Sequence, residues 1–323
     1  MLPENEFTLQ KSIKRSQCVT FAASTLRCGT VAADATSEQL ERADCERMTT
    51  TDNKRYLATK VPQIVGVFWV LKLLTTGTGE AVSDAMGQQN VPIAAAIGIF
   101  GLWLALWLQL RQREYRAPFY WFAVMMVAVF GTMMADGIHD GASIPYSVTT
   151  PAFALITGLI FLLWYRSEGT LSIHSIDTRR REKFYWAAVL CTFSLGTAAG
   201  DLTAYQLNWG FWPSAVLFAG VFAVPALGWW KLSWNPIFSF WFAYVVTRPL
   251  GASFADGFSK PSSGGLNLGD PLIGLIGCVI FVALVAWVTV TKRDVQATAH
   301  GARHHELHLH AMPHNPVLAP EAD

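Results

Sequence analysis

The residues best placed to do chemistry are four aspartates, Asp84, Asp136, Asp201 and Asp256. Each closes one copy of a fixed pattern: an aromatic, Trp, nine residues, Gly, four residues, Asp. The copies are Phe68-Trp69…Gly79…Asp84, Tyr120-Trp121…Gly131…Asp136, Tyr185-Trp186…Gly196…Asp201 and Phe240-Trp241…Gly251…Asp256. Four positions before each aspartate, on the same helical face, stand Glu80, Thr132, Thr197 and Ala252. Three repeats therefore offer two oxygen ligands each, and the fourth has lost one. Carboxylates that converge repel one another unless a cation or protons sit among them. Oxygen-only ligation suits hard cations such as Mg²⁺, Ca²⁺ or Mn²⁺. The expected site is thus a cation-binding ring of Glu80, Asp84, Thr132, Asp136, Thr197, Asp201 and Asp256. The plainer alternative is a set of solvated helix ends.

Arg248 is read as the single cation at membrane depth, and Pro249 follows it. Proline removes a backbone donor, so a kink or break in that helix is expected, with Arg248 neutralising one carboxylate. Below Glu80 polarity thins to Thr75, Thr76, Thr192 and Thr247. Asp136, His139 and Asp140 form a local cluster whose spacing permits metal ligation. Six of the eight histidines lie near the end of the chain, at His300, His304, His305, His308, His310 and His314. Imidazole there suits Zn, Ni, Co or Cu, with incidental histidines as the alternative. The repeat glycines are read as close-packing devices and the repeat tryptophans as interface anchors. No phosphate loop, nucleophile elbow or HExxH pair occurs, so an enzyme is not expected, and neither a cofactor nor nucleic acid is implied.

These residues must be carried by elements that cross a bilayer. Of 323 residues 52% are hydrophobic and 15% charged, against roughly 25% charged in soluble domains. The five cysteines are scattered, without a CxxC pair. Eight apolar stretches, near 61–83, 92–110, 118–137, 149–165, 184–204, 212–230, 236–257 and 271–291, each approach the roughly 20 residues that span a membrane. Basic residues follow the even stretches (Arg111, Arg113 and Arg116; Arg179, Arg180, Arg181 and Lys183; Lys231; Lys292 and Arg293). That alternation predicts both termini on the cytoplasmic side of a bacterial inner membrane. The even stretches contain no ionisable group, which predicts an inner ring of odd helices walled by even ones.

The wording Leu195-Gly196-Thr197-Ala198-Ala199-Gly200-Asp201, Thr247-Arg248-Pro249-Leu250-Gly251-Ala252-Ser253 and Lys60-Val61-Pro62-Gln63-Ile64 resembles a bacterial family of multi-pass membrane proteins. That family is built from tandem two-helix repeats of unknown function. The resemblance covers roughly residues 60–291 and implies an all-α membrane protein with eight transmembrane helices as four parallel two-helix repeats, near 61–110, 118–165, 184–230 and 236–291. It implies no activity. The expected organisation is a disordered cytoplasmic segment over 1–58, a membrane domain over 59–292 and a His-rich cytoplasmic tail over 293–323. Met48 is a candidate alternative start. The functional expectation is a transporter, by secondary export or exchange of a divalent cation, with the bilayer, metal ions and protons as partners. A non-transporting sensor or scaffold is the competing expectation.

Overall fold

The computed structural model describes residues 60–295, so the expectations for 1–58 and for the histidines of the tail lie outside the described residues. Eight long helices run through it: α1 Gly66–Gln89, α2 Val91–Arg111, α3 Ala117–Asp136, α4 Tyr146–Glu168, α5 Arg179–Asp201, α6 Phe211–Leu232, α7 Pro236–Ser259 and α8 Asp270–Thr291. There is no strand among the described residues. Prolines in the first turn open α2, α3, α7 and α8, where the missing N–H costs nothing. Asn90, Thr178 and Asn235 cap α2, α5 and α7 through their side chains. Gly169 ends α4 in the left-handed conformation. Immediately after Asp136 and Asp201, α3 and α5 run on into π-helical turns, Gly137–Gly141 and Leu202–Gln206.

Six of these helices, α2 to α6 and α8, are long and apolar enough to cross a membrane. The remaining two, α1 and α7, each bury an acid and a base, Glu80 and Lys72 on α1 and Asp256 and Arg248 on α7. The odd helices close a ring in the order α1, α3, α5, α7 and back to α1, as the sequence pattern predicts. Each even helix leans mainly on the odd helix that follows it, α2 on α3, α4 on α5 and α6 on α7, and α8 returns to α1. Only 17–28% of each even helix is buried, against 56% and 67% of the α3 and α5 spans. The even helices thus present their apolar sides outward.

The same contact forms every joint of the ring. A Cβ on Gly79 would fall within 3.0 Å of Ala128, one on Gly131 of Phe193, one on Gly196 of Arg248 and one on Gly251 of Thr76. Each partner stands three residues before the glycine of the next repeat. Close approach through small residues is how helices associate where no hydrophobic force drives them together.

The aromatic pairs repeat this circuit one level away. Phe68 meets Trp121 at 5.7 Å between ring centroids, Tyr120 meets Trp186 at 5.6 Å, Tyr185 meets Trp241 at 6.1 Å and Phe240 meets Trp69 at 5.8 Å. This corrects the expectation of interface anchors. Trp121, Trp186 and Trp241 are buried in an inner belt, because each ring gains more from the neighbouring repeat than from headgroups. Beyond the belt, residues 60–63 stitch the helices together. Lys60 pairs with Glu182 at 2.6 Å, Lys60 O accepts from Gln109, and Gln63 N donates to Asp294 O at 2.7 Å.

The expected break at Pro249 does not occur. Helix α7 is continuous from Pro236 to Ser259, and the ring of Pro249 lies against Gly196 and Gly200, whose lack of side chains leaves it space.

Candidate functional site

Within the ring, functional groups stack in levels along the helices. Next to the aromatic belt lies Lys72, on α1 one turn beyond Trp69. Its Nζ sits 3.6 Å from the centroid of Phe193 and 3.9 Å from that of Tyr244, with no hydrogen-bond partner among the described residues. Lys72 is a further buried cation, lying inside the ring with Arg248, so the reading of Arg248 as the single one at that depth is corrected. Its signal in the sequence was its spacing of three from Trp69, which puts it on the inner face.

Arg248 fills the next level. Its Nη2 donates to Glu80 Oε2 at 2.5 Å, to Thr197 Oγ1 at 2.7 Å and to Thr132 Oγ1, while Nη1 donates to Thr76 O at 2.9 Å. The Thr132 hydroxyl donates to Glu80 Oε2 at 3.0 Å. Three of the four equivalent positions expected to line the ring, Glu80, Thr132 and Thr197, therefore converge on one guanidinium. Ala252, the fourth, is buried but offers no side-chain oxygen. Arg248 comes from one turn earlier on α7 and reaches the level that Ala252 leaves open. Both Arg248 and Glu80 are 1% exposed, so each charge relies on the other.

Beyond Arg248 the carboxyls meet. One oxygen from each of Glu80, Asp201 and Asp256 lies within 4.8 Å of the others, and so do oxygens of Glu80, Asp84 and Asp136. A third such group joins Asp84, Asp256 and Asp270. Asp270 was not expected from the sequence; it begins α8, just before the apolar run. Two basic groups touch this cluster among the described residues, Arg248 from within and Lys260 from the far side. Six carboxyls against two cations leave an excess of acid that protons or added cations must offset.

The cluster opens into a cavity of about 950 Å³ whose lining includes Asp84, Asp136, Asp201, Lys260, Tyr146 and Tyr205. Lys260 has the equivalents Gln88, Asp140 and Tyr205 in the other repeats, and all four line this cavity. His139 and Asp140 stand at the same mouth, in the π-helical turn after Asp136. His139 Nδ1 lies 2.9 Å from Ile144 O, and its ring stacks 3.9 Å from Tyr146. Neither residue joins a close three-ligand group among the described residues. Opposite charges govern Lys260, which lies outside the helices. Burial works against its charge, but Asp256, Asp84 and Asp201 outweigh that and hold its pKa well above the ordinary lysine value.

Three segments, residues 119–170, 184–233 and 239–294, match the family model described as Repeat of Unknown Function (DUF347). The chain belongs to this repeat family. The three DUF347 matches coincide with α3–α4, α5–α6 and α7–α8. The unmatched copy, α1–α2, keeps the same aromatic, glycine and aspartate positions and makes the same ring contacts. It differs where it carries Lys72 and Glu80. Neither the search of curated proteins nor that of solved structures gave a match.

Proposed function

We propose that this DUF347-repeat chain is a membrane transporter that moves a divalent cation by secondary export or exchange against protons. Eight spanning helices would form four parallel two-helix repeats about an axis along the membrane normal. Both termini would lie on the cytoplasmic side of a bacterial inner membrane. One observation carries the reading: six carboxyls converge at one end of a closed helical ring where, among the described residues, only Arg248 and Lys260 offset them. No catalytic constellation competes with it among the described residues.

In this reading the acidic cavity faces the outer side, and the aromatic belt closes the cytoplasmic end. A cation held by the carboxylates weakens the pull of Glu80 on Arg248. That frees the guanidinium to move toward Phe193, whose ring centroid already lies 5.5 Å from it. Protons arriving from the outer side compete for the same oxygens and drive release. A second reading, a sensor or scaffold that does not transport, is favoured by the closed belt and by the four hydrogen bonds that hold Arg248.

Purified protein in liposomes loaded with a metal-quenched dye separates the two. Flux of Mn²⁺ or Ca²⁺ that Asp201→Asn and Asp256→Asn abolish in folded protein is expected. Saturable Mn²⁺ binding without flux under any proton gradient would leave the sensor reading.

A further inference from the structure

Lys260 lies four residues beyond Asp256, on the same face. Its Nζ is 2.8 Å from Asp84 Oδ2 and 3.1 Å from Asp256 Oδ1. The chain then doubles back along the last turn of α7. Leu266 N donates to Gly257 O, Leu268 N to Phe258 O and Gly269 N to Ser259 O, which satisfies carbonyls that a helix end leaves open. This return delivers Asp270 beside the same two aspartates. Asp270 Oδ2 accepts from Gln88 Nε2 at 2.5 Å. Its Oδ1 is buried and has no hydrogen-bond partner among the described residues. Oxygens on opposite sides of a hard divalent cation stand about 4–5 Å apart. Asp84, Asp256 and Asp270 each offer an oxygen within 4.8 Å of the others, a spacing that suits one ion.

We propose that Asp84, Asp256 and Asp270 form a divalent-cation subsite which the Lys260 ammonium occupies as a tethered surrogate, so that an ion must carry more than one charge to displace it. This rests on the cation-carrier reading above and gives it a basis for selectivity. A monovalent ion brings the same charge as the ammonium and must compete with a group whose tether keeps its effective concentration at about the millimolar level or higher. A divalent ion brings twice the charge to three carboxylates and releases the ammonium. Lys260 has somewhere to go: its side chain is 19% exposed at the cavity, and the Tyr205 ring lies 5.7 Å from Nζ.

The test is equilibrium Mn²⁺ binding to the full chain in detergent, read from the paramagnetic resonance of free Mn²⁺, with and without excess Na⁺. Lys260→Met is expected to bind Mn²⁺ about tenfold tighter or more and to become sensitive to Na⁺, while the wild type ignores Na⁺. Folded K260M with unchanged Mn²⁺ affinity and no Na⁺ competition would overturn the proposal. If K260M does not fold, Asp270→Asn decides alone, since the amide still accepts from Gln88. An unchanged Mn²⁺ affinity in D270N overturns the subsite, and a weakening of about tenfold supports it. Tighter binding by K260M without flux in liposomes would sink the carrier reading and leave this one standing. Flux with neither variant altering affinity would sink this one alone.

Discussion

Gly196 omits the one carbon that would collide with Arg248. A Cβ there would fall within 3.0 Å of the Cβ and Cγ of Arg248 and of the ring of Pro249. The glycine is therefore what admits a guanidinium to the interior of the ring.

Gly196→Ala should cost about 1–3 kcal/mol through overpacking against a residue held by four hydrogen bonds. Gly220→Ala, on the outer surface of α6 with nothing within 4 Å, should be neutral or slightly stabilising. Thermal unfolding of the two variants in one detergent makes the comparison. Equal melting temperatures would show that the joint is looser than the contact distances imply.

Arg248 and Glu80 should behave as a unit. Arg248→Met strands a buried carboxylate and is expected to cost about 3–5 kcal/mol, as breaking a buried pair does. Glu80→Gln added to it should recover most of that loss. A double-mutant cycle on unfolding free energies reads the coupling, and additive costs would mean that the pair does not set stability.

Lys72 offers a different outcome. Its ammonium lies on two aromatic faces and has no hydrogen-bond partner among the described residues, so a Met of similar length should fit. Lys72→Met is expected to leave stability unchanged or raised. If cation flux is nevertheless lost in K72M, the charge serves transport. Destabilisation by several kcal/mol would instead make the two cation–π contacts structural.

Asp294 supplies the pH-dependent prediction. Burial, set against a hydrogen bond from the Tyr115 hydroxyl, raises its pKa above the ordinary carboxyl value. A folded pKa above the unfolded one, about 3.9, means that this group's stabilisation is complete below that value. It is lost as pH rises through the folded pKa. Asn stays neutral and can still accept from Tyr115. The stability of Asp294→Asn relative to the wild type should therefore grow with pH across that window and then level off. A difference that is flat across the acid range would refute the assignment.

The ring itself was legible because its determinants repeat. Trp, Gly and Asp at constant offsets fix which face of each odd helix turns inward, and uncharged even stretches can only wall them off. The aromatic pairs were misread because composition alone does not separate a tryptophan facing headgroups from one facing the next repeat. Only the neighbouring helix, which brings Trp121 against Phe68, decides between them. The site was half legible. Glu80, Thr132 and Thr197 stand out as equivalents and Arg248 as the cation that neutralises a carboxylate, but its contact with all three does not, because its reach depends on a glycine in another repeat. Lys260, the one basic residue in its connection, and Asp270 are not assigned to the site by the sequence because a return loop of nine residues brings them together, and loop geometry leaves no period to read.

Four copies of one joint enclose a single interior, and that has a consequence for how such a chain can change. Thr76, Ala128 and Phe193 occupy the position of Arg248 in the other repeats. Had duplication kept arginine at all four, their guanidiniums would crowd one point with Glu80 as the lone acid at that level, and the repulsion would force the ring open. The centre belongs to all the copies at once, so one copy can own it only if the others give it up. Divergence at this position is a condition of the ring closing at all, and a repeat that looks degenerate there is a necessary part of the whole.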